Sequence, residues 1–209
     1  MNQSVDLKQI FVKLITSFEN DETFANELWE PIEMAYTEPH RHYHNLDHIR
    51  FMVQKALEIE SLISDMNVLL FSIFYHDIVY KVTKGNNELK SAEIAEKAAL
   101  EAGLGADGAR LCYHQILATK AHELSENQDT NYLTDIDLCI LGESPQVYDQ
   151  YVSHIRKEYQ IYPGFLYRKG RKKVVQHFLQ MDQIFKTAYF FDRYESQARA
   201  NLGRELNTY

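Results

Sequence analysis

The stretch Val68-Leu69-Leu70-Phe71-Ser72-Ile73-Phe74-Tyr75-His76-Asp77 decides how the rest of the chain is read. From Asn67 to about Tyr80 the side chains are apolar nearly all round a 3.6-residue period, which predicts a helix through the centre of a bundle. An imidazole and a carboxylate directly after such a run are costly to bury as bystanders. A divalent cation would use both, because neutral imidazole and carboxylate are its ordinary ligands.

Working outward, helical periodicity dominates. Leu7, Ile10, Phe11, Leu14, Ile15 and Phe18 recur at three and four residues and form one apolar face. Phe24, Leu28 and Ile32 continue the pattern, with Pro31 expected to start a new turn or kink the helix. A third amphipathic helix is expected from Leu46 to Leu62. After the turn signal Gly85-Asn86-Asn87, the series Ala92, Ala95, Ala98, Ala99 and Ala102 marks a close-packed helix ended by Gly103. Further helices are expected near 107–118, 132–142, 145–161, 168–190 and 192–207, with a loop over His122 to Thr130. β-branched alternation is absent. No repeat or long linker divides the chain, so the expectation is one all-α domain over residues 1–209, a bundle of about ten helices.

Composition narrows the function. The chain has 209 residues, 45% of them hydrophobic, with only eight glycines and four prolines, which argues against a turn-rich β fold. Thirty carboxylates against 22 Lys and Arg give a net charge of -8, which disfavours broad nucleic-acid binding. A phosphate-bearing ligand would need a local positive site. Cys112 and Cys139 fit no zinc or redox spacing and read as buried thiols of a reducing cytosol. The N-terminus lacks signal-peptide character, and the longest apolar run is too short to span a bilayer. The expected setting is cytoplasmic, with no membrane partner.

Two further segments could complete a metal site. Tyr43-His44-Asn45-Leu46-Asp47-His48 sets two histidines at i and i+4, which on a helix places both rings on one face. Nine histidines make some such pairs by chance, and a solvated pair is the plain alternative. Asp135 and Asp137 interrupt the apolar segment Leu133–Leu141, where an aspartate is unfavourable unless something rewards it. Helix capping by Asp135 would explain one of them but not both.

The resulting order, His then His-Asp then Asp on three separate helices, resembles the HD-domain superfamily of metal-dependent phosphohydrolases. The string Tyr43-His44-Asn45 with His48 also resembles the first metal motif of cyclic-nucleotide phosphodiesterases. Further segments are similar to a branch of small predicted HD phosphohydrolases: 75–80, 87–92, 119–122, 135–142, 156–159 and 195–202. The resemblance runs from about residue 29 to 206. It implies His48, His76, Asp77 and Asp137 as ligands of a divalent metal, whether Mn, Mg, Co, Ni, Fe or Zn. It implies His44 as the acid that protonates a leaving oxygen and Asp77 as both ligand and proton acceptor. Either Asp135 or Asp137 could face the metal; the Asp-Leu pattern favours Asp137.

Glu88 is a candidate catalytic or substrate-contacting group beside the metal, although Glu88 and Asn87 equally suit a helix N-terminus. His122 is a candidate second-metal ligand or orienting group. Arg41, Asn87 and Arg156 are candidate substrate contacts. The basic cluster 168–173 reads as a solvated helix face. The expected activity is hydrolysis of a small phosphate ester, a nucleotide or related metabolite. The alternatives are a non-catalytic HD sensor that binds metal or nucleotide, and an HD-type di-iron oxygenase.

Overall fold

The computed structural model describes residues 5–209 and contains, among them, ten α-helices, two 3-10 turns and no strand. The helices are α1 (Leu7–Thr16), α2 (Glu22–Tyr36), α3 (Leu46–Glu58), α4 (Met66–Tyr75), α5 (Asn87–Ala102), α6 (Gly105–Ala118), α7 (Gln128–Leu138), α8 (Pro145–Glu158), α9 (Gly164–Gln180) and α10 (Ala188–Leu206). The all-α expectation is met. The chain divides into two compact units, Met1–Leu133 and Thr134–Tyr209, and the division falls within α7. No helix of the described residues is long and apolar enough to cross a membrane.

In the first unit α4 is the organising element. Every residue from Val68 to Tyr75 is buried, and α1, α3, α5 and α6 pack against this helix. Phe11 of α1 meets Phe74 edge-on at 5.0 Å, Trp29 of α2 meets Phe74 at 6.1 Å, and Phe71 stacks on Tyr75 at 4.6 Å. Removing a ring from such a cluster costs about 3–5 kcal/mol in lost transfer energy and cavity formation. The alanines of α5 allow close approach to α6, and Gly103, with φ 89°, ends α5. Leu104 N–H donates to Ala99 O at 3.0 Å and Gly103 N–H to Leu100 O at 3.2 Å, which satisfies the last carbonyls.

Several expected boundaries move, each for a local reason. Helix α2 continues through Pro31 to Tyr36; Pro31 and Glu27 are both exposed, so the carbonyl that loses its donor can bond water. The third helix ends at Glu58, and a separate 3-10 turn covers Glu60–Leu62. The central helix stops at Tyr75 instead of Tyr80. Its next backbone groups find other partners: Ile73 O receives His76 Nδ1 at 2.9 Å, and Asp77 N–H donates to Tyr36 Oη at 3.1 Å. Helix α7 starts inside the expected loop, where Asn127 Oδ1 accepts from Thr130 N–H at 2.8 Å.

In the second unit α10 packs against α9 and against the 3-10 turn Cys139–Gly142. Gly142 is required by proximity: a Cβ there would stand 2.6 Å from Tyr194 Cβ and 2.7 Å from Tyr194 O. Arg171, which sequence reading placed on a solvated face, is buried. It grips Glu205 with Nε at 2.9 Å and Nη2 at 3.0 Å, while Tyr148 and Tyr209 hydroxyls donate to the same carboxylate. Burial alone would raise the Glu205 carboxyl, but the Arg171 guanidinium holds it below its ordinary value.

Gly142→Ala should lower stability by about 2–4 kcal/mol, because backbone rather than a movable side-chain tip blocks the new methyl. Thermal unfolding of the two proteins measures this directly.

Candidate metal centre

The first histidine pair is brought together by a cap and not by a shared helix face. Asn45 is the N-cap of α3, its Oδ1 accepting from Asp47 N–H at 2.9 Å and His48 N–H at 3.4 Å. His44 therefore lies outside the helix and His48 in its first turn, which corrects the expectation of an i, i+4 helical pair. The rings still meet, with centroids 5.8 Å apart, and Tyr43 packs against both at 4.9 and 4.8 Å.

The His76-Asp77 turn is held from four sides. Arg41, 5% exposed, donates from Nη1 to Asp77 O at 2.6 Å and to His44 O at 3.3 Å, and from Nη2 to Ile78 O at 3.0 Å. Its Nε donates to Glu38 Oε2 at 3.1 Å, and the guanidinium lies over the rings of Tyr36 and Tyr80. Ser91 Oγ, fully buried on α5, accepts from Val79 N–H at 3.1 Å. Asn87 bonds both the N–H and the carbonyl of Lys81. Tyr36 receives Asp77 N–H, as described above. Arg41 and Asn87, read from sequence as candidate substrate contacts, thus have backbone partners that position the turn.

On this frame His48 and His76, both buried, aim their Nε2 atoms at one another across 3.3 Å. Because His76 Nδ1 lies on a carbonyl oxygen, it carries the proton, and Nε2 presents a lone pair. At 3.3 Å the two nitrogens are within reach of a long hydrogen bond, with His48 Nε2–H donating to His76 Nε2. The same separation suits two nitrogens each about 2.1 Å from one cation, which stand roughly 3.0–3.4 Å apart between octahedral and tetrahedral angles. Asp77 Oδ2 lies 3.3 Å from His76 Nε2 and 3.9 Å from His44 Nε2. His44, with 20% of its side chain exposed, stacks on Tyr80 at 4.2 Å. The residues fit a divalent metal: His76 Nε2 presents a lone pair toward the buried His48 ring with the Asp77 carboxylate alongside, and the Ile73 carbonyl holds the His76 ring in place.

The remaining candidates are placed as follows. Asp135 accepts from Lys186 N–H at 2.8 Å, Thr187 N–H at 2.8 Å and Thr187 Oγ1 at 2.7 Å, so it serves the N-terminus of α10. Burial pushes its carboxyl up to about 6, with the Lys186 and Thr187 donors pulling the other way. Asp137 follows two positions later on α7 and is half-buried. Glu88 lies in the first turn of α5, its Oε2 buried without a hydrogen-bond partner. His122, just beyond α6, adopts the left-handed region with φ 52°. Arg156 donates to the carbonyls of Tyr159 and Tyr162, at the end of its own helix.

Sequence reading missed Tyr36 and Asp129. Tyr36 sits 41 positions from the amide that its hydroxyl receives. Asp129 accepts from Ser64 and Asp65 N–H at 2.8–3.1 Å at the start of α4. The one signal for Asp129 is an acidic residue in the first turn after Asn127. No family model, curated protein or solved structure matches the chain in the comparisons made.

Arg41→Lys should destabilise the protein by about 2–4 kcal/mol, since one ammonium cannot reach carbonyls on both sides of the turn. Asp135→Asn should cost about 1–3 kcal/mol by turning an amide NH2 toward N–H donors. The folded Asp135 retains a proton that the unfolded chain releases from pH about 4 upward, so its contribution to stability declines as pH rises to about 6. The gap between wild-type and Asp135→Asn melting temperatures should therefore narrow over that range.

Proposed function

We propose that this chain is a metal-dependent phosphohydrolase of the HD type, acting on a small phosphate ester such as a nucleotide or related metabolite. The observation that carries the reading is the 3.3 Å approach of His48 Nε2 and His76 Nε2, with the His76 Nδ1 proton committed to Ile73 O and Asp77 alongside. The same separation that allows a long hydrogen bond between two buried imidazoles also suits a pair of ligands on one cation.

Asp137 is the proposed remaining ligand. The Asp-Leu pattern of the sequence favours it, and Asp135 has its oxygens engaged by Lys186 and Thr187. Residues two apart on a helix point about 200° from one another, so the two aspartates serve different neighbours. A divalent cation supplies a Lewis acid and lowers the pKa of water to near neutrality.

The chain's own residues do the rest. Asp77, within 4 Å of both His76 and His44, is suited to take a proton from the attacking water. His44, partly exposed and stacked on Tyr80, is suited to deliver a proton to the leaving oxygen. Arg41 holds the geometry from behind, where its charge meets carbonyls and the Glu38 carboxylate.

Metal analysis of purified protein, followed by a phosphate-release screen over nucleotides and phosphomonoesters with Mn²⁺, Mg²⁺, Co²⁺, Ni²⁺ or Fe²⁺, tests this. The expected result is bound metal and metal-dependent release. His76→Ala should lose both metal and activity, and His44→Ala should keep the metal with kcat lowered by about 10²–10⁴. Release that is unchanged in His76→Ala and Asp77→Ala overturns the reading. Two irons with oxygen uptake would replace it with the oxygenase, and metal binding without any hydrolysis with the sensor.

A further inference from the structure

Helix α9 is at odds with the charge of the chain that carries it. The protein has a net charge of -8, yet α9 (GFLYRKGRKKVVQHFLQ) contains five basic residues and no Asp or Glu. Arg171 is answered by Glu205. Arg168, Lys169, Lys172 and Lys173 have no ion-pair partner among the described residues. Lys169 and Lys173 stand one turn apart on the side of α9 opposite the buried Tyr167, Arg171 and Val175. Phe165, 65% exposed, and Leu166 flank them.

Helix α2 carries the inverse pattern. Its sequence (ETFANELWEPIEMAY) has four glutamates and no Lys or Arg, and its buried face is Ala25, Trp29, Ile32 and Tyr36. Glu27, Glu30 and Glu33 are exposed at three-residue spacing, and none has an ion-pair partner among the described residues. Met34, 61% exposed, stands among them. Like charges at this spacing cost an isolated helix a few tenths of a kcal/mol per pair. Each helix therefore presents an unneutralised row of one sign around an exposed apolar side chain. The two are of similar length, 15 and 17 residues.

We propose that α9 of one copy of this chain docks across α2 of a second copy, with Lys169 and Lys173 facing Glu27, Glu30 and Glu33, and Phe165 and Met34 in the contact. Charge complementarity selects this occupant: the acidic row that α9 requires is present on the same protein and is equally without a partner. The contact is electrostatic at its rim, so it weakens with salt, and its strength resides in charged pairs rather than area.

Sedimentation equilibrium of the full chain over a concentration series, at low salt and at about 0.5 M salt, tests the proposal. The expected result is concentration-dependent self-association at low salt that salt abolishes. Lys169→Glu with Lys173→Glu, and separately Glu30→Lys with Glu33→Lys, should each weaken association about tenfold or more. All four positions are exposed, so circular dichroism should report unchanged folding. Mixing the two variants should restore association, because each then meets its opposite charge. A chain that stays monomeric at low salt overturns the proposal, as does association indifferent to either reversal or a mixture that fails to associate. If the monomeric chain instead binds anionic phospholipid vesicles through Lys169 and Lys173, the basic face serves a membrane surface and the second copy is excluded.

Discussion

The buried guanidinium of Arg41 joins the two segments on which the candidate site depends. It binds the carbonyl of His44 on one side and those of Asp77 and Ile78 on the other, with Glu38 balancing its charge and two tyrosine rings covering its faces. A buried charge is tolerable only when its donors are answered, and the carbonyls that answer these donors belong to the turns bearing His44 and Asp77. Stability and site geometry are therefore the same interaction here.

That arrangement also gives the end of α4 a physical cause. A wholly apolar helix has no reason in its own sequence to stop at Tyr75. It stops because the His76 ring takes the Ile73 carbonyl and Tyr36 takes the Asp77 amide. The same ring bond sets the His76 tautomer, leaving Nε2 toward His48. One hydrogen bond thus ends the helix and fixes the orientation and tautomer of the ring.

The aspartates of α7 show how a polar residue in an apolar segment can carry two meanings. Asp129 and Asp135 each receive backbone N–H groups at the start of another helix, α4 and α10 respectively. Their burial is explained by capping, with no ligand needed. The closing motif behaves similarly: Glu195 receives the amides of Ile184 and Phe185, and Asn201 donates to the carbonyls of Leu141 and Glu143. These polar residues close loops onto helices, so their placement is explained by the fold alone.

Periodicity alone determined the all-α class, the central burial of Val68–Tyr75 and the stop at Gly103, because these follow from side-chain hydrophobicity and backbone freedom at single positions. The residue types at His48, His76 and Asp77 were also enough to nominate a metal centre. Tertiary structure alone decided that His44 precedes its helix, that Arg41 and Asn87 bond backbone, and that Asp135 receives the amides just before α10. The reason is physical. Each of these outcomes turns on where a hydrogen-bonding group finds its partner, and the partners lie up to 52 residues away along the chain, beyond the reach of any local pattern.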